Sequence, residues 1–88
     1  MPFQRNTSEV LESISRILAP LVGNLMARTA ASAHCRDLGI QGGVMTGEQV
    51  EALLAKLGLG LIIFLGKDRA NSVVASLRQA IHELQEAA

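Results

Sequence analysis

The fold turns on one stretch, Leu59-Gly60-Leu61-Ile62-Ile63-Phe64-Leu65. Every residue in it is apolar or glycine, so no periodicity separates strand from helix. Ile62, Ile63 and Phe64 favour a strand by propensity. A lone strand has no partner in this chain, so residues 60–65 as a strand would have to pair across a dimer. A short, fully buried helix is simpler and is the preferred reading. The chain then folds as an all-α domain of four to five helices, expected to associate as a homodimer.

The flanks support helices on both sides. Thr46-Gly47-Glu48-Gln49 is a capping box, with Thr and Gln three residues apart. Val50, Leu53, Leu54 and Leu57 follow at i, i+3, i+4, i+7, so a helix is expected from about residue 46, with Gly58 ending it. After the apolar run, Gly66-Lys67-Asp68 predicts a turn, with Asp68 as N-cap. Val73, Val74, Leu77, Ala80, Ile81 and Leu84 trace one face of the last helix. Phe64 is expected in the core with Leu54, Leu57, Val74 and Leu77.

Toward the N-terminus, Val10, Leu11, Ile14, Ile17, Leu18 and Leu21 recur at helical spacing. The first helix is expected from about residue 7 to about residue 18. Asn6 and Glu9 have capping-box spacing, and residues 1–6 are expected to be a flexible arm. Pro20 lacks an N–H, so it should end that helix and start a second. The second helix should stop at Leu38-Gly39, with a loop at Gly42-Gly43. Residues 1–88 are expected to form a single domain, without a repeat or linker.

Composition narrows the function. The chain has 88 residues, 49% hydrophobic and 18% charged, with a net charge of zero. This excludes a disordered tail. It also argues against nucleic acid as a partner, which needs an excess of Lys and Arg on one face. The mean hydropathy of +0.30 is high for a small domain with much surface per volume, a first sign of self-association. A lone Cys35 excludes an internal disulfide and suits a reducing, cytoplasmic setting. The N-terminus does not look like a signal peptide. The uncharged stretches 17–27 and 57–66 fall short of the roughly 20 residues of a membrane span, so no membrane partner is expected.

Candidates for chemistry are few. Gly60 to Lys67 has the wrong spacing for a phosphate loop, and Asp68 would repel phosphate. Gly58-Leu59-Gly60 lacks the third glycine of a dinucleotide fingerprint. His34 and Cys35, adjacent on a helix, point about 100° apart, and with His82 they are too few for a structural zinc site. Glu48 and Glu51 fit helix N-terminal acids. No catalytic, cofactor-binding or metal-binding residue is expected. The most informative pattern is a ladder of small residues, Gly23, Ala27, Ala31 and Cys35, thickened by Ala30, Ser32 and Ala33. Such a face lets another helix come close, either across a dimer, the preferred reading, or within the chain itself. The interface candidates are therefore Gly23, Ala27, Ala30 and Ala31, with Leu61 and Phe64 from the apolar run.

Leu21-Val22-Gly23, Met26-Ala27, Cys35 with Leu38-Gly39-Ile40, Thr46 to Gln49, and Leu61 to Gly66 with Lys67 and Ala70 together resemble a small helical module found at the ends of bacterial signalling and regulatory proteins. The resemblance covers residues 18–81. It implies a soluble interaction domain without catalysis, and it carries over no functional residue. The expected function is a non-enzymatic protein–protein interaction or oligomerisation module. The partners would be a second copy and another protein, in signalling or regulation. Two alternatives from other classes stand beside it: a small-molecule-binding protein with an apolar pocket near Cys35, His34 and Phe64, and a nucleic-acid-binding helical domain.

Overall fold

The computed structural model describes residues 4–40 and 42–84. Two short strands and four helices follow in the order β1 (Gln4–Asn6), α1 (Thr7–Val22), α2 (Asn24–Asp37), β2 (Val44–Thr46), α3 (Gly47–Leu65) and α4 (Lys67–His82). The fold is mainly helical and compact, as the apolar periodicity predicts. The residues expected to form an arm are instead ordered from Gln4 onward. β1 pairs with β2 in an antiparallel ribbon, Gln4 opposite Thr46, Arg5 opposite Met45 and Asn6 opposite Val44.

Arg5 explains the ordered arm. It is a buried cation whose Nε and Nη2 donate to the carbonyls of Ile81 (3.3 Å) and His82 (3.2 Å). These are carbonyls at the C-terminal end of α4, which have no donor within the helix and attract positive charge. No hydrophobic pattern announces such a contact, because it joins residues from opposite ends of the chain.

The first helix runs four residues further than expected. Pro20 lies inside its last turn and starts nothing. Proline removes one hydrogen bond, to the carbonyl of Arg16. Both residues face solvent, where water can take that bond. The break comes at Gly23, with φ 92° and ψ 154°, a conformation open essentially to glycine alone. Gly66 makes the same elbow between α3 and α4, at φ 82° and ψ 163°. Gly66 is also the N-cap of α4, the place expected for Asp68, which lies in the first turn. The hydrogen bonds match: Gly23 N–H donates to Ala19 and Ala27 N–H to Gly23, while Gly66 N–H donates to Ile62 and Ala70 N–H to Gly66.

The repeated elbow belongs to a repeated plan, strand–helix–glycine–helix, that the sequence conceals. The ribbon register is unchanged when the two strands are exchanged. The helix packing is also unchanged: α1 packs on α2 and α4, and α3 on α4 and α2. Val10 and Val50, and Ile14 and Leu54, hold equivalent buried places. Side chains chosen for a shared core position need only be apolar and of fitting size, so two halves can share a fold with little identity.

Other local expectations hold. Thr46 Oγ1 accepts from Gln49 N–H and Gln49 Oε1 from Thr46 N–H, completing the capping box. Asn6 is the N-cap of α1, but its side chain bonds Glu9 instead of the backbone. At the end of α2, Gly39 N–H donates to Arg36 and Ile40 N–H to Cys35, the paired bonds of a Schellman motif.

Candidate interaction surface

The apolar run is helix, and it is neither separate nor fully buried. α3 continues through Gly58 and Gly60 to Leu65 without a break. The strand alternative for residues 60–65 is therefore overturned. An intact helix satisfies its own backbone bonds, and two glycines cost only about 2 kcal/mol relative to alanine. Leu61 is buried, but Ile63 is 85% exposed, Leu59 68% and Phe64 63%. The expected place of Phe64 in the core is wrong. Leu54, Leu57 and Leu77 are buried without it, and Val74 packs against them.

The small-residue ladder is also corrected. Ala27, Ala31 and Cys35 are buried in the chain's own core, with Ala30 partly buried beside them. Their narrow face lets α1 pack closely on α2, so Ala27 and Ala31 offer nothing to a partner. Gly23, the first rung, is the elbow and not part of the helix. Of the interface candidates, Gly23 and Phe64 are exposed, and only Phe64 has a side chain to offer.

What the surface does offer lies where α2 begins and α3 finishes. Leu18 and Val22 of α1, Met26, Ala30 and His34 of α2, and Leu57, Gly60, Leu61 and Phe64 of α3 line an apolar groove of about 170 Å³. Leu25 of α2 and Leu59, Ile62 and Ile63 of α3 are exposed on the same two helices but do not line the groove. Leu25 and Met26 are surface residues that sequence reasoning misses, and Ile62 and Ile63, expected within a buried run, are exposed. A signal is present in α3, which is apolar on every side over its last two turns. A helix of that kind is normally covered all round.

The polar side chains add little. His34 Nδ1 is buried beside the groove with no hydrogen-bond partner among the described residues. Burial pushes the Cys35 thiol above its ordinary value, the reverse of what activates a nucleophile. Arg78 grips Glu51 across α4 and α3 with three bonds of 3.3, 3.0 and 2.9 Å, which hold the Glu51 carboxyl below its usual range. Among the described residues no three His, Cys, Asp or Glu side chains gather where they could hold a metal ion. No helix there is long and apolar enough to cross a membrane. A wider groove between α1 and α2, about 910 Å³, is open to solvent and lined by Glu12, Ser15, Arg16, Asn24 and Arg28 among others. Its Arg16 already engages Glu12 at 3.5 Å. Set against family models, curated proteins and solved structures, the chain matches none, so its geometry alone carries the functional argument.

Proposed function

We propose that this chain is a non-enzymatic helical interaction module that associates with itself through the apolar end formed by α2 and α3. The observation that carries the reading is the exposure of Leu25, Leu59, Ile62, Ile63 and Phe64 on α2 and α3, with an apolar groove between the two helices. Contiguous apolar patches of this kind on a small protein mark interaction sites. The resemblance to modules of bacterial signalling and regulatory proteins agrees with it, and a second protein in such a pathway would dock on the same end. A cytoplasmic setting goes with the reading, since the one cysteine is a free thiol.

A small apolar ligand is the runner-up, favoured by the unpartnered His34 Nδ1. The groove's volume favours the interaction reading over it, since about 170 Å³ is below the roughly 300–1,000 Å³ of ordinary ligand sites. Nucleic-acid binding has only a net charge of zero to draw on.

Light scattering over a concentration series tests the proposal, with Ile63→Asp beside the wild type. The variant should scatter as the 9.3 kDa monomer with unchanged helix content, because the new charge is solvated in the monomer and buried in an assembly. A wild type that stays monomeric at millimolar concentration would overturn the reading.

A further inference from the structure

We infer that two copies meet by crossing α3 on α3 at Gly60. The inference rests on the self-association reading above and specifies its contact. Glycine inside a helix costs about 0.8–1.0 kcal/mol relative to alanine, so each one in α3 calls for a reason. Gly58 has one within the chain: a Cβ there would lie 3.2 Å from Val74 Cγ2, where α4 presses on α3. Gly60 has none. Its backbone is ordinary helix, it faces solvent, and a Cβ would meet nothing within 4 Å. It nevertheless sits in the wall of the apolar groove with Leu57, Leu61 and Phe64. A missing side chain with empty space beside it, on an apolar face, is what a second helix needs for close approach, at the short end of the 8–10 Å range of axis separations.

The occupant is a second copy of this chain. From Gly58 to Leu65 no residue is charged, and among the described residues His34 is the only ionisable side chain lining the groove. A two-fold contact sets each surface against itself, so charge repulsion, the usual obstacle to such pairing, is missing. Leu21, Leu25, Met26, Leu59, Ile62, Ile63 and Phe64 are all more than a third exposed. Of these, Leu59, Ile63 and Phe64 lie within about 100° of Gly60 round α3, so a crossing there covers three large apolar side chains that are each more than half exposed. A peptide laid along the groove would cover one side of α3. Crossing helices cover Gly60 and Phe64 and bring in Leu59 and Ile63 from the outer side.

Two variants of the full chain test the crossing. Gly60→Leu should weaken dimerisation at least tenfold by light scattering, while helix content and the melting temperature of the dilute monomer do not fall. Gly60→Cys should form a disulfide-linked dimer on a non-reducing gel, because symmetric crossing brings the two positions within bridging distance. Ala75→Cys, on the exposed side of α4, should not. The cross-link decides the matter even where Gly60→Leu fails to fold. A wild-type dimer that Gly60→Leu leaves intact, with no Gly60→Cys bridge, overturns the crossing and leaves self-association standing. A monomeric wild type overturns both. If that monomer binds lipid vesicles or an amphipathic helical peptide, the face belongs to that occupant instead.

Discussion

From Gln4 to Asp37 the chain runs strand, helix, glycine, helix, and from Val44 to His82 it does so again. In the first half the elbow glycine follows a helix of 16 residues; in the second it follows one of 19. The extra length, close to one turn, carries α3 past the core that α1, α2 and α4 can provide. Apolar residues that a shorter helix would not contain therefore stand in solvent. The ribbon differs as well. Arg5 of the first half caps α4, whereas Met45 opposite it is buried among apolar residues. Equivalent backbone positions can thus serve a core, a helix end or an interface, depending on what lies beyond them.

The largest effects should fall where the halves are most alike. Ile14→Ala and Leu54→Ala each remove a fully buried side chain at matching positions, at a typical cost of about 2–5 kcal/mol. Chemical denaturation should show losses in that range for both. If one variant is nearly neutral, the two positions are not equivalent. The elbows come next. Gly23→Ala and Gly66→Ala force an ordinary residue into a glycine conformation, for about 1–3 kcal/mol each. A Cβ added at either glycine would meet no atom within 4 Å, so the cost is conformational and should be alike in both halves. A clear difference in their denaturation midpoints would break the repeat.

The smallest effect belongs to a contact the first half lacks. Arg78→Ala removes the exposed pair with Glu51, worth about 0–1 kcal/mol. The sign with pH follows from the lowered Glu51 carboxyl. Its stabilising contribution is present above the carboxyl's ordinary range and is lost as pH falls through the depressed folded value. Wild type and Arg78→Ala should therefore converge in stability in acid. A gap that widens on acidification would contradict the pairing.

Local instructions were legible in the sequence. The capping box at Thr46, the glycine stop at Gly39 and the apolar faces of α1 and α4 depend on residues within a few positions of one another. The helical class follows from them. The candidate site was half legible: the apolar run was visible and Phe64 stood out, but its exposure did not. An apolar residue looks the same in sequence whether a core reaches it or not. The small-residue ladder misled for the same reason, since close packing inside one chain and between two demand identical side chains.

Other features arose only when the elements packed together. Pro20 could stay inside α1 because its side of the helix faces solvent. Arg5 found its acceptors at the far end of the chain. The strand–helix–glycine–helix plan emerged only when β1 met β2. That the chain is mainly helical was written in the residue order, because backbone hydrogen bonds and caps are local. Where the core ends was settled by the packing of all four helices, because burial depends on which neighbours arrive.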